Sequence, residues 1–118
     1  MLQEAFNNAF SFDLENKKIT FKMILWQDAI KAQNAIHLLA TNTPDNIDEG
    51  NKRLLNLALK YTRVETQSGD IIESPTLEIF STQFENIFAF VELSAQFRDY
   101  VLGFLQKLPS FQRASIQD

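Results

Sequence analysis

Large apolar residues alternate with polar ones through Phe10-Ser11-Phe12-Asp13-Leu14 and again through Ile19-Thr20-Phe21-Lys22-Met23, on either side of the polar stretch Glu15-Asn16-Lys17-Lys18. Two period-2 runs around a short polar turn predict a β-hairpin with one buried face, lined by Phe10, Phe12, Leu14, Ile19, Phe21 and Met23. A lone hairpin is only marginally stable in water, so this one is expected to lie on the elements that follow.

From about Leu25 to Thr41 the period changes. Trp26, Ala29, Ile30, Ile36, Leu39 and Ala40 recur at three- and four-residue steps, which predicts an amphipathic helix. Pro44 disfavours helix at Thr43 and ends it. Asn46 with Glu49 three residues on resembles a capping box and predicts a further helix from about Ile47 to Tyr61. Gly50 would weaken that helix by about 1 kcal/mol relative to Ala. The helical period then lapses between Thr62 and Ser74. That segment reads either as a second short hairpin around Ser68-Gly69 or as an irregular loop. Ser74-Pro75-Thr76 supplies the next helix start.

The block from Thr76 to Leu108 is the most informative. Glu78, Glu85, Glu92 and Asp99 recur every seven residues, an interval that returns to nearly the same helical azimuth with a drift of about 20° per step. They predict one solvated stripe along a long helix or two nearly collinear ones. Leu77, Phe84, Val91 and Leu105 form one apolar column, and Phe80, Ile87, Val101 and Leu108 the next. Phe88, Phe90, Phe97, Tyr100 and Phe104 widen the apolar arc to about 200°, well beyond what a surface helix needs to meet a core. Ser94 and Arg98 interrupt this seam one turn apart. They mark either a kink near Ser94, which is the preferred reading, or a polar layer within an interface.

Six of the eleven Phe residues fall in this block. Most of it is expected to be core, but Ile87-Phe88-Ala89-Phe90-Val91 is apolar on every side of a helix. Aromatic side chains are favoured anchors at interfaces. Phe88, Phe90, Phe97, Tyr100 and Phe104 are therefore the candidate partner-binding residues.

Composition narrows the chemistry. The 118 residues include no Cys and one His, which removes disulfides, thiolate sites and multi-histidine metal centres, and leaves little room for a Ser-His-Asp triad. The formal net charge of −4 tells against an electrostatic nucleic-acid binder. No run reaches the ~18 apolar residues of a spanning helix, and Met1-Leu2-Gln3-Glu4-Ala5 has no basic n-region. A cytoplasmic, non-enzymatic protein without cofactor or metal is expected, partnering neither nucleic acid nor membrane.

The remaining polar groupings have plain structural readings. His37 has no carboxylate at i±3 or i±4 to orient it. Asp45, Asp48 and Glu49 suit the first turns of a helix better than a calcium loop, which needs 6–8 ordered oxygens. Lys52, Asn56, Lys60 and Arg63 form a basic stripe, read as a solvated face or as a surface that meets Glu85, Glu92 and Asp99 in the same fold or in another subunit.

Together these elements predict an α+β, mostly α fold. Residues 1–108 would form a single domain, an N-terminal hairpin (about 10–23) packed on a small helical bundle with a long Phe-rich C-terminal helix. Residues 109–118 would form a flexible tail. The order of elements resembles the small tail assembly chaperones of long-tailed bacteriophages. The features that carry the likeness are the hairpin Phe12–Met23 leading into Leu25-Trp26-Gln27-Asp28-Ala29, and Leu54-Leu55-Asn56-Leu57-Ala58-Leu59 running into Tyr61–Glu65 and the turn Ser68-Gly69-Asp70. Pro75-Thr76-Leu77 then opens the aromatic-rich C-terminal helix. The resemblance implies a protein that binds the tape measure protein and shields its apolar stretches until tail tube subunits displace it. The alternative is a self-associating structural or adaptor protein, a homo-oligomer formed through the C-terminal helix.

Overall fold

The computed structural model describes residues 10–107. The chain is α+β, and the strands among the described residues form one antiparallel sheet in chain order. Strands β1 (Ser11–Leu14) and β2 (Lys17–Phe21) make the expected hairpin, with Phe12 opposite Ile19. Its turn is tighter than the sequence suggested, just Glu15 and Asn16, both at positive φ (49° and 66°). That pair of left-handed residues matches the twist of the flanking strands.

Helix α1 (Trp26–Leu39) and helix α2 (Pro44–Tyr61) follow, and α2 runs without a break into β3 (Thr62–Glu65). The Thr62 hydroxyl donates to the Ala58 carbonyl at 2.6 Å, which satisfies a helix-end acceptor as the backbone turns extended. Strand β4 (Ile71–Glu73) pairs with β3, so the 62–73 segment is a hairpin; Gly69 adopts φ 92° at its turn. The pairing of β2 with β3, Ile19 opposite Val64, joins two hairpins distant in sequence into one sheet.

Helix α2 begins at Pro44 rather than near Ile47, because proline is well suited to a first helical position. The expected capping box is not formed. Thr43 is the N-cap residue, and Glu49 instead pairs with Arg53 one turn on at 2.8 Å. Nor is Gly50 a weak point. A Cβ there would lie 2.7 Å from the Ala35 carbonyl oxygen and 3.0 Å from the Leu38 Cβ. Gly50 lies close against α1, whose buried face is Ala29, Ala32 and Ala35 alongside Asp28. Small residues on both helices let the backbones approach.

The C-terminal block is two helices, α3 (Leu77–Thr82) and α4 (Ala89–Gln106). The break lies at Gln83–Phe88, not near Ser94, which sits inside α4. Phe84 leaves the helical path to pack on Phe80, ring centroids 4.6 Å apart, beneath the Lys17 ammonium. The backbone N–H groups of Glu85 and Asn86 are taken by the Glu15 carboxylate, and the Asn86 side chain accepts the Phe88 N–H. These bonds replace those that a continuous helix would have made.

The core gathers Ile19, Phe21, Leu54, Val64, Phe80, Leu93, Phe97 and Val101, each at most 2% exposed. A buried Phe or Leu of this kind contributes about 1.5–3 kcal/mol. Met23 lies outside the core at 47% exposed, because the strand ends at Phe21 and the chain then turns toward α1. The expected tail, residues 109–118, lies outside the described residues.

Candidate functional site

Two of the five candidate partner residues are core. Phe97 is fully buried, stacked with Tyr61 and edge-on to Phe21. Tyr100 is 5% exposed, and its hydroxyl accepts the Ile24 N–H at 3.1 Å and donates to the Lys22 carbonyl at 2.9 Å. Neither can serve a docking face while the domain is folded. They lie on the side of α4 that turns to the sheet, with Leu93, Val101 and Leu105. Phe104 is half-buried against the same core.

Phe88 and Phe90 are on the surface, 61% and 37% exposed, and neither stacks on another ring among the described residues. They have company: Ile87 is 74% exposed, Val91 51%, and Leu77 and Ile79 of α3 45% each. Ile87, Phe88, Phe90 and Val91 follow one another through the end of the α3–α4 turn and the first turn of α4, and Leu77 lines one cleft with Ile87 and Phe90. A concentration of large apolar side chains in one place on a small domain marks an interaction surface more often than scattered exposure does.

Two clefts flank this turn, and Leu55 and Phe90 line both, forming a ridge between them. The larger, about 480 Å³, lies between α2 and α4. Its floor is Leu39, Leu54, Leu55 and Ala95, and Asp48, Lys52 and Arg98 stand among its polar lining. The smaller, about 240 Å³, lies toward α3, with Leu77, Phe80, Phe84 and Ile87 among its lining and no charged side chain. Ser94 and Arg98, the two polar interruptions of the seam, both line the larger cleft. They edge a groove between helices instead of marking a kink.

The hairpin positions this surface. The Glu15 carboxylate holds the amides of Glu85 and Asn86 at 2.8 and 3.1 Å, and the Lys17 ammonium lies 5.2 Å from the Phe84 ring centre. In the sequence Glu15 and Lys17 read only as turn residues. No local signal reveals a partner seventy residues away.

Elsewhere several charged groups pair within the fold. The basic stripe does not meet Glu85, Glu92 and Asp99. Lys52 pairs with Asp48 at 3.1 Å, Lys60 with Asp28 at 2.7 Å, and Arg63 with Glu73 at 3.8 Å. The buried Asp28 carboxylate also accepts the Tyr61 hydroxyl at 2.5 Å, and that hydroxyl accepts the Leu25 N–H at 3.1 Å. The Lys60 hydrogen bond, reinforced by that of Tyr61, holds Asp28 below the usual carboxylate range. Burial, helped by the Asp28 bond, pushes the Tyr61 phenol up to about 12. This triad fastens the start of α1 to the end of α2. His37 is exposed near the end of α1, where a basic group meets the negative end of the helix.

No helix among the described residues is long and apolar enough to cross a membrane. The chain matches no protein-family model, no curated protein and no solved structure.

Proposed function

We propose that the chain is a non-enzymatic tail assembly chaperone of a long-tailed bacteriophage, which binds the tape measure protein and shields its apolar stretches during tail assembly. One observation carries the docking part of this reading: Ile87, Phe88, Phe90 and Val91 are exposed together beside two apolar clefts, although the core is well filled without them. The chaperone identity is supported by the order of elements, a hairpin, two helices, a second hairpin and an aromatic-rich C-terminal block. Shielding is stoichiometric, so nothing is turned over and no cofactor takes part.

Co-expression with the long helical protein encoded near its gene tests the proposal. The chain should keep that client soluble in a complex that Phe88→Asp abolishes. A homo-oligomer that persists on dilution and covers Phe88 would establish the self-associating adaptor instead. A gene neighbourhood with no major tail protein and no long coiled-coil reading frame would remove the phage assignment.

A further inference from the structure

We infer that the groove between α2 and α4 takes an amphipathic helix carrying one carboxylate that pairs with Arg98. The inference deepens the docking reading above by naming the chemistry of the partner, and it rests on that reading.

The groove is electrostatically asymmetric. Its larger cleft holds two cations, Lys52 and Arg98, against one anion, Asp48, in a chain whose formal net charge is −4. Asp48 is already paired with Lys52. Arg98 is exposed and has no ion pair or hydrogen bond among the described residues, so it is the unmatched charge. An apolar floor lies beside it, where partial exclusion of water strengthens a charge pair. The smaller cleft has no charged lining and suits an apolar side chain. A partner matching both ends needs a large apolar residue at the α3 end and a single acid at the Arg98 end. A run of acids would meet the repulsion of the whole chain.

The walls favour a helix. Along α2 the cleft extends from Asp48 to Leu55, about two turns or roughly 11 Å. Both long walls are helices whose backbone groups are bonded internally. A docked strand would therefore leave its own N–H and C=O groups unmet, whereas a helix brings them already paired. Arg98 lies eight positions beyond Phe90 on α4, roughly 12 Å along the axis. The anchor and the acid on the partner should then stand about two turns apart.

A displayed library of randomised amphipathic helical peptides, selected on the wild type, Arg98→Glu and Phe90→Asp, tests this. Arg98 and Phe90 are exposed, so both variants should keep the wild-type circular dichroism. Wild-type selection should enrich peptides with a large apolar residue and one Asp or Glu about two turns apart. Arg98→Glu should bind those peptides about tenfold more weakly and select Lys or Arg at the same place. Enrichment without an acid preference, or an acid preference unchanged by Arg98→Glu, overturns the inference and leaves the docking reading standing. No enrichment over Phe90→Asp overturns both. A stable dimer of the chain that excludes every peptide overturns the inference in favour of a second copy as occupant.

Discussion

The Glu15 carboxylate at the tip of the N-terminal hairpin accepts the backbone N–H of Glu85, seventy residues away, at 2.8 Å, and its second oxygen takes the N–H of Asn86. A hairpin turn thereby fixes the α3–α4 turn, next to the most exposed apolar side chains of the molecule. Glu15 does so from a left-handed backbone (φ 49°) that a residue with a Cβ adopts at a cost of about 1–2 kcal/mol.

This arrangement separates two substitutions. Glu15→Gly relieves the backbone and loses the clamp, while Glu15→Gln keeps one oxygen acceptor. Hydrogen exchange should show the Glu85 and Asn86 amides losing protection in Glu15→Gly and keeping part of it in Glu15→Gln. Global stability should change by no more than about 1 kcal/mol in either. Unchanged amide protection in Glu15→Gly would show that the turn holds itself.

The surface and core aromatic residues should part company under the same change. Phe88→Asp should leave urea stability within about 0.5 kcal/mol of wild type, and Phe90→Asp, at a less exposed position, should also retain helical circular dichroism. Both should lose the partner. Phe97→Ala removes a ring at the centre of the core and should cost about 3–5 kcal/mol. Loss of helical signal in Phe88→Asp would place that residue in the core.

The glycines of α2 and α4 should respond to alanine with opposite signs. Helical propensity alone favours Ala over Gly by about 1 kcal/mol at either place. At Gly103 a Cβ meets nothing within 4 Å, so Gly103→Ala should raise the denaturation midpoint. At Gly50 it would meet the Ala35 carbonyl oxygen at 2.7 Å, so Gly50→Ala should destabilise by about 1–3 kcal/mol.

The Asp28–Tyr61–Lys60 triad predicts how stability follows pH. Asp28 titrates lower in the folded than in the unfolded chain, where its value is near 3.8. Its contribution is therefore present above about pH 4 and is lost as pH falls through the lower folded value. Tyr61 is raised from 10.0 to about 12, so the folded state holds its proton more tightly. That contribution is complete below pH 10 and is lost as pH rises toward 12. Urea unfolding across pH should show both declines. Tyr61→Phe should weaken both, and the alkaline decline that remains should come from Tyr100, which burial also raises. An alkaline limb identical in wild type and Tyr61→Phe would exclude this account.

Local signals along the chain are enough to set the class and most of the elements. Alternation around Glu15-Asn16 specified the first hairpin, Pro44 and Pro75 punctuated the helices, and the acids Glu78, Glu85, Glu92 and Asp99 are all exposed as expected, although Glu85 lies in the break between α3 and α4 and not on a helix. These signals are local, set by backbone preference and by which side chains tolerate water. Tertiary structure decided where the last block breaks and which of its rings are exposed. A helical period continues unbroken through Gln83–Phe88, and the break is held by Glu15 and Lys17, brought close by the sheet, together with the Asn86 side chain. Periodicity likewise put Phe97 and Phe90 on flanks of one wide arc. Packing against Phe21 and Tyr61 buried the first and left the second beside an open groove. An apolar arc specifies what must leave water, and only the number and placement of the neighbouring elements determine how much of it they can cover.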